Sequence, residues 1–195
     1  NFIRQHDAIY RYNQSAAKSV LLYPRTAVHA GNVAAVKEFL KLGDSMLDRH
    51  ILFDVLPDDL ATPEVTAKYE AVYRVGKPEP PTTDHFIITA PKTVRVSLSR
   101  PAKEDAYHLH FVNYNRTEPT NPKSAGGGIH DEKPIAVKGI HCNVALPKGK
   151  AVGRIRFLSP ELDKELALTG RPTGGRVRFT LPEFLVYAVV ELKWK

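Results

Sequence analysis

The stretch Arg176-Val177-Arg178-Phe179-Thr180-Leu181 alternates polar and apolar side chains, and this alternation decides the fold of the second half of the chain. A period of two residues is typical of a β-strand with one buried face and one solvated face. The same period recurs in short runs separated by turn clusters such as Pro147-Lys148-Gly149-Lys150 and residues 169–175. The apolar positions of the runs are residues 86–88, Val94/Val96/Leu98, Tyr107/Leu109/Phe111, Ile135/Val137, residues 140–146, Ile155/Phe157, Val177/Phe179/Leu181 and residues 184–192. About eight short strands with no helix between them predict an antiparallel β-sandwich over residues 85–195.

The first half of the chain has a different pattern, in which continuous apolar runs alternate with helical periodicity. Three runs are typical of strands that are buried on both faces of a parallel sheet: Ser19-Val20-Leu21-Leu22-Tyr23-Pro24, Ile51-Leu52-Phe53-Asp54-Val55 and residues 71–75. Apolar residues at helical spacing follow Asn32, and Thr62-Pro63-Glu64 has the form of a helix start with proline at the first position. This strand–helix–strand–helix–strand order predicts βαβ units.

We therefore expect two parts of different fold class, α/β and all-β. The first is a partial Rossmann-like α/β segment at residues 1–75, which opens with a helix over residues 2–15. It is partial because no further helix and strand follow Val75. Either the domain is naturally truncated, or residues are missing from the chain after Val75. Instead, Gly76-Lys77-Pro78-Glu79-Pro80-Pro81 has the composition of a linker, which we place at residues 76–84. The second part is the antiparallel β-sandwich.

Composition places the chain among globular proteins. Its apolar content of 43% argues against disorder, and no apolar run approaches the roughly 18–20 residues of a membrane span. The formal net charge is +7, and the basic excess lies in residues 79–195. Such an excess is typical of solvated strand faces, with a polyanion partner as the alternative. The sequence predicts no nucleic-acid partner, no membrane partner and no cofactor. Because the chain opens at Asn1 without an initiating Met, we expect a fragment or a processed chain. The compartment stays open, with export from a bacterial cell as one alternative.

Histidine and cysteine residues are the candidates for metal ligands and for a nucleophile. His108 and His110 are expected on one strand face, a spacing that can hold a metal if tertiary proximity supplies a third ligand. The candidates for that ligand are His85, His130, Asp131 and His141. Cys142 is the single cysteine, and its position in an alternating run predicts a buried strand residue, not a nucleophile.

Two further motifs resemble functional sites but have structural interpretations. Asp58-Asp59 resembles a carboxylate pair, but adjacent residues in a turn point apart, whereas a glycosidase needs two carboxyl groups that flank the sugar. Gly126-Gly127-Gly128 lacks the lysine-serine ending of a phosphate loop and lies between two β-runs. We interpret it as a hairpin connection.

Four arginines are the candidate binding residues. Arg154 and Arg156 alternate with apolar residues in one run, and Arg176 and Arg178 do so in another, so each pair shares a strand face. If the two strands pair, the four guanidinium groups form a patch suited to carboxylates or sulfates, and hence to an acidic polysaccharide. A solvated outer face is the alternative. No catalytic, cofactor-binding or metal-binding residue is predicted.

Several stretches carry a resemblance to one type of enzyme. They are Phe2-Ile3-Arg4-Gln5-His6-Asp7-Ala8-Ile9-Tyr10, Ser19 to Pro24, His50-Ile51-Leu52-Phe53-Asp54-Val55-Leu56-Pro57-Asp58-Asp59, His110-Phe111-Val112-Asn113-Tyr114-Asn115, Leu158-Ser159-Pro160, and Val177-Arg178-Phe179-Thr180-Leu181-Pro182 with Tyr187. The first resembles the helix that leaves the barrel in glycoside hydrolases built from a (β/α)-barrel, an amidotransferase-like α/β domain (often called the trimerisation domain) and a closing β-sandwich. The next two resemble the opening of the α/β domain, and the others resemble the sandwich. The family 42 β-galactosidases and their relatives are the nearest type.

This resemblance implies a non-catalytic C-terminal region of a larger glycoside hydrolase, which supports stability, assembly or substrate positioning. The catalytic glutamates of that family lie in the barrel, which these residues do not include, and no Gly-x-Cys-x-Gly nucleophile elbow is present. The implied partners are the barrel catalytic domain of the same protein, a polysaccharide and a second copy of the chain. A carbohydrate-binding module for an acidic polysaccharide is the alternative function. An independent metal-dependent enzyme that uses His108 and His110 is the least favoured class.

Overall fold

The computed structural model describes residues 2–102, 104–117 and 132–195. Within them the chain forms three sheets. The six-stranded antiparallel sheet has the order β1 (Asn13–Ser15), β6 (Val94–Pro101), β7 (Ala106–Asn113), β13 (Tyr187–Trp194), β9 (Val152–Leu158), β10 (Leu166–Ala167). The four-stranded antiparallel sheet has the order β11 (Arg171–Thr173), β12 (Arg176–Thr180), β8 (His141–Ala145), β5 (Phe86–Thr89). The parallel sheet has the order β3 (Phe53–Pro57), β2 (Ser19–Tyr23), β4 (Ala71–Tyr73). The helices are α1 (Phe2–Gln5), α2 (Asp7–Tyr10), α3 (Arg25–His29), α4 (Ala34–Asp48) and α5 (Pro63–Thr66), with a 3₁₀ turn at Asp58–Leu60.

The two antiparallel sheets pack face to face around one apolar core. The alternating runs supply it, and the residues predicted to point inward are all buried in the same cluster: Leu109, Phe111, Ile155, Phe157, Val177 and Phe179. The predicted fold class, a partial Rossmann-like α/β segment followed by an antiparallel β-sandwich, is confirmed. The domain limits at residues 75 and 85 stay predictions.

The parallel sheet has the βαβ order that its sequence predicts. Its central strand β2 is almost fully buried, and Leu21 on that strand packs against Met46 of α4 and Tyr73 of β4. Thr62 caps α5 by accepting a hydrogen bond from the backbone N–H of Val65, with proline at the first helical position as predicted. No helix in the described parts of the chain has the length and apolar character needed to cross a membrane.

The helix predicted over residues 2–15 is wrong in its extent. The segment instead forms two short helices, α1 and α2, followed by strand β1, in which Gln14 lies opposite Arg100 of β6. The partner that makes β1 a strand is far away in the sequence, so local periodicity could not reveal it. Tyr12 marks the change with a left-handed backbone (φ 56°).

The turn cluster predicted at residues 169–175 is also partly a strand. Arg171–Thr173 forms β11, an edge strand, which accommodates a proline. Gly174 and Gly175 alone join it to β12, both with positive φ (57° and 76°), as a two-residue hairpin turn requires. At Gly170 the chain crosses from one sheet to the other, and an added Cβ there would lie 2.6 Å from Val177 and 2.7 Å from Ile155. The strand predicted at Ile135/Val137 forms only isolated bridges.

Polar contacts join the α/β segment to the sandwich. His50 follows helix α4 by two residues and has a left-handed conformation (φ 54°). Nε2 of its ring lies 3.3 Å from the carbonyl oxygen of Pro91. Asp48 pairs with Arg95 at 3.1 Å and with Lys92 at 3.3 Å. Hydrogen bonds from Arg95 and Lys92 lower the pKa of Asp48, so this contact keeps its charge at neutral pH.

Candidate functional site

A polar cluster lies on the outer face of the six-stranded sheet. Side chains alternate along β7, β13 and β9, so residues between the core positions point outward. The register places Glu191 of β13 between His108 of β7 and Arg156 of β9. His110 and Tyr187 lie along the same face. We refer to these five residues as the outer-face cluster.

Glu191 is a carboxylate in the middle of a sheet, with 3% of its surface exposed. Arg156 donates two hydrogen bonds to it, from Nε to Oε2 at 2.8 Å and from Nη2 to Oε1 at 2.9 Å. Arg154 donates a longer one at 3.3 Å, and Nζ of Lys193 lies 3.7 Å away. Burial alone would raise the pKa of Glu191, but the hydrogen bonds from Arg156 and the positive charges of Arg156 and Lys193 lower it well below its ordinary value. Glu191 is therefore ionised at neutral pH and unsuited to proton donation.

His108 is the buried imidazole beside this carboxylate. Its Nδ1 lies 3.4 Å from Nδ2 of Asn13, and its Nε2 lies 3.9 Å from Oε1 of Glu191. Nε2 has no hydrogen-bond partner within the described ranges. The ring lines a cavity of about 210 Å³, whose other wall is formed by residues of α1 and α2.

His110 belongs to a separate chain of hydroxyl contacts. Its Nδ1 lies 2.7 Å from the hydroxyl of Tyr187, which lies 3.0 Å from the hydroxyl of Tyr10. Its Nε2 lies 3.3 Å from Oγ of Ser99. Burial, together with the nearby His108, lowers the pKa of His110 to about 4, so the ring is neutral at pH 7.

The predicted placement of His108 and His110 on one strand face is confirmed. Both nitrogens of His110 already face protein hydroxyl groups. Of the candidate third ligands, His85 pairs with Glu70 and His141 with Thr180. His130, Asp131 and the Gly126-Gly127-Gly128 motif lie outside the described residues. Among the residues that are described, no group of three or more His, Cys, Asp or Glu side chains is arranged to hold a metal ion.

The chemistry of the outer-face cluster is that of a buried charge network. Two carboxylates line its cavity, Glu104 and Glu191, and Lys193 pairs with both. A glycosidase needs one carboxyl group whose pKa is raised so that it can protonate the leaving group, but the pKa of Glu191 is lowered. Ile9 of α2 also packs against this face of the sheet. The cluster therefore seats the N-terminal helices on the sandwich.

The four arginines predicted to cluster lie on opposite outer faces of the sandwich. Strand β9, with Arg154 and Arg156, belongs to the six-stranded sheet, whereas β12, with Arg176 and Arg178, belongs to the four-stranded sheet. Each pair does share a strand face, because the residues between the arginines are buried. The pairing of the two strands is wrong, and a patch of four guanidinium groups does not form, because the outward side chains of the two sheets point away from the common core. Polysaccharide binding by these residues stays a prediction.

Asp58 and Asp59 hold the start of α3. The backbone N–H and the hydroxyl of Thr26 donate to Asp58 at 3.0 and 2.9 Å. Arg25 donates to both oxygens of Asp59 at 2.8 and 2.5 Å, and this hydrogen bonding lowers the pKa of Asp59.

Cys142 is 2% exposed, and burial raises the pKa of its thiol, which confirms the prediction of a buried strand residue.

Sequence reasoning missed Glu191 and Tyr187, which organise the outer-face cluster. The available signal was a single carboxylate inside the apolar run Ala188-Val189-Val190-Glu191-Leu192. A charged residue in a central strand is almost never fully buried without a partner, so the run itself predicts a cation on a neighbouring strand.

The architecture has a counterpart among solved structures. The chain superposes on α-L-fucosidase isoenzyme 2 from Paenibacillus thiaminolyticus with a TM-score of 0.67 at 12% sequence identity, over 99% of this chain and 51% of that chain. The fold of this chain therefore recurs in part of that α-L-fucosidase chain. At this level of identity the likeness concerns the fold alone, and the chain spans about half the length of its counterpart.

A second solved structure matches over a smaller part. It is a cycloisomaltooligosaccharide glucanotransferase from Paenibacillus sp. complexed with cycloisomaltoheptaose, with a TM-score of 0.41 and 18% identity over 55% of this chain and 16% of that chain. Both solved structures are glycoside-active enzymes. No protein-family model and no curated protein sequence matches the chain.

Proposed function

We propose that this chain is a non-catalytic ancillary region of a larger glycoside hydrolase of the type resembling the family 42 β-galactosidases. The supporting observation is the likeness of 99% of this chain to about half the length of an α-L-fucosidase chain. A fold that recurs in part of a glycosidase is consistent with a segment that accompanies the catalytic part. The partners proposed are a barrel catalytic domain of the same protein, a second copy of the chain and a polysaccharide.

The state of the carboxylates supports a non-catalytic role. Glycoside hydrolysis requires a protonated carboxyl group opposite an ionised one across the scissile bond. Here Glu191 is held ionised by Arg156, and Asp59 is held ionised by Arg25. Each carboxylate also makes a structural contact. Glu191 belongs to the cluster that holds the N-terminal helices on the sheet, and Asp59 binds Arg25 at the start of α3.

The contacts between the parts support a scaffolding role. The contacts of Asp48 and His50 tie the α/β segment to the sandwich, and the pairing of β1 with β6 ties the N-terminal residues to it. A preceding domain that enters at α1 would thus rest on the outer face of the six-stranded sheet. Such a contact positions one domain against another without touching substrate.

The isolated chain is expected to hydrolyse no glycoside, because the carboxylates Glu191 and Asp59 are held ionised in structural contacts. The assay uses nitrophenyl α-L-fucoside, nitrophenyl β-galactoside and reducing-sugar release from polysaccharides. Wild-type chain is compared with the Glu191→Gln and Asp59→Asn variants. Turnover above the blank that is lost in either variant would contradict the proposal.

A further inference from the structure

The outer face of the four-stranded sheet carries a feature with no structural explanation. Arg171 of β11 and Arg178 of β12 are register partners, directly opposite each other on neighbouring strands. Residues so placed have Cα atoms about 4.5–5.5 Å apart and project from the same face. Both side chains are exposed. Like charges directly opposite each other destabilise a sheet, so this pair opposes folding unless something lies between the charges.

Neither arginine has a partner among the described residues that would relieve the repulsion. In the described parts of the chain, Arg171 and Arg178 make no side-chain hydrogen bond and no ion pair, whereas other strand arginines do. Arg156 pairs with Glu191 and Glu165. Arg176, two residues from Arg178, donates to Asn143 at 2.9 Å and to the backbone of Asp84 at 2.6 Å.

The two guanidinium groups border an open groove. Its volume is about 780 Å³, and the polar side chains that line it beside the arginines are uncharged or are imidazole: Thr89, His141, Asn143, Thr169, Thr173 and Thr180. The apolar residues Ile87, Cys142 and Phe179 complete its lining. No acidic residue lines it among those described. Nδ1 of His141 lies 2.9 Å from Oγ1 of Thr180, and this contact fixes the position of the ring at the groove.

We propose that this groove binds an acidic glycan, with a carboxylate or sulfate group of the sugar chain between Arg171 and Arg178. Guanidinium groups bind both anions through paired, charge-assisted hydrogen bonds. An anion between the two arginines converts their repulsion into attraction toward a common partner. Threonine hydroxyls, the Asn143 amide and the His141 ring supply donors and acceptors for the sugar hydroxyls.

The lining favours a glycan over a nucleic acid. Single-stranded nucleic acids bind on exposed aromatic rings that stack with the bases. Among the described residues, the one Phe, Tyr or Trp ring that lines this groove is Phe179, which is turned into the core with 5% exposure. Duplex DNA binding rests on many phosphate contacts, whereas this groove is lined by one pair of arginines. The site is independent of the ancillary role proposed above, since a purely structural region has no need for it.

The test is affinity electrophoresis in polygalacturonate, in dextran sulfate and in neutral dextran. Wild type is compared with the double variant Arg171→Gln/Arg178→Gln and with the control variant Arg74→Gln. Arg74 is an exposed arginine of the α/β segment without a side-chain partner among the described residues.

We expect retardation by at least one acidic polymer and not by dextran. The double variant should lose about 10-fold or more in affinity, because charge-assisted hydrogen bonds are the strong ones. Arg74→Gln should change the affinity by less than about twofold, since a distant surface charge acts only through screened electrostatics. The two acidic polymers show whether carboxylate or sulfate is preferred.

A stability measurement separates this site from general basicity. The acidic polymer that binds should raise the melting temperature of wild type and not that of the double variant, because only a ligand bound to the native state stabilises it. Equal loss in Arg74→Gln, or equal retention of wild type and the double variant, would overturn the proposal. Tighter binding to single-stranded DNA than to either polymer, lost in the double variant, would also overturn it in favour of nucleic acid. Glycosidase activity of the chain bears on the ancillary role and leaves this result unaffected.

Discussion

Replacement of Phe179 by alanine is expected to lower the free energy of unfolding by about 3–5 kcal/mol, the usual cost of removing a buried phenylalanine. Phe179 lies on β12 and is 5% exposed. It belongs to the cluster that joins the two antiparallel sheets, with Phe111 and Phe157. Alanine leaves a cavity between sheets that are fixed by their own ladders, so the core cannot collapse to fill it. Urea denaturation followed by circular dichroism measures the change.

Tyr114→Ala is the matched control for this substitution. It removes a ring of similar size from a residue that is 63% exposed, so the expected change is within about 0.5 kcal/mol. A loss below about 1 kcal/mol for Phe179→Ala would show that β12 does not face the six-stranded sheet. In that case Arg178, which alternates with Phe179 along β12, would not lie on the outer face of the sheet.

Replacement of Glu191 by glutamine is the second substitution expected to have a large effect, with a loss of about 3 kcal/mol. Removal of one member of a buried ion pair typically costs 3–5 kcal/mol, because the remaining charge is left unpaired. The lower end applies here, since the Arg156 side chain is 20% exposed and keeps its contact with Glu165. Glutamine preserves the shape, so the effect reports the charge. Chemical denaturation at pH 7 provides the measurement.

The pH dependence of this effect has a definite sign. The pKa of folded Glu191 lies below its ordinary value of 4.5, so its contribution is complete above about pH 4.5 and is lost as the pH falls toward the folded-state pKa. The difference between wild type and Glu191→Gln should therefore be constant from pH 7 to 5 and shrink below 4.5. His110, with a pKa of about 4, lowers the stability of both proteins between pH 6.5 and 4, and cancels in the comparison.

Glu165→Gln is the control for Glu191→Gln. It removes a carboxylate that also contacts Arg156 but is 44% exposed, so it should cost less than about 1 kcal/mol. Equal losses of stability in the two variants would contradict the assignment of Glu191 as the buried centre of the network. So would a difference in unfolding free energy between wild type and Glu191→Gln that does not shrink below pH 4.5.

Local patterns were sufficient where one face of an element is buried. The alternation of Val177 and Phe179 predicts both the strand and its inward face, and the run at Ser19–Tyr23 predicts a central parallel strand. Local patterns were insufficient where the secondary structure of a segment depends on pairing with another strand. Asn13–Ser15 is a strand because β6 pairs with it, and Arg171–Thr173 is a strand because two glycines close the hairpin behind it.

The candidate sites depended on information that the sequence does not contain. Periodicity predicts which residues share a strand face, and it did so for Arg154 and Arg156 and for Arg176 and Arg178. It does not predict which strands share a sheet, so the four arginines could not be placed on opposite faces. The groove between Arg171 and Arg178 was missed for the same reason, since Arg171 lies among residues with the composition of a turn.

The amino-acid sequence encoded immediately upstream of Asn1 tests the ancillary role most directly. We expect an open frame that continues through a (β/α)-barrel, with the two carboxylates of a glycosidase at the carboxyl ends of its strands and its last helix running into α1. A frame that begins at or near Asn1, or one that encodes a domain without a barrel before residue 1, would contradict the proposal that this chain belongs to a larger glycoside hydrolase.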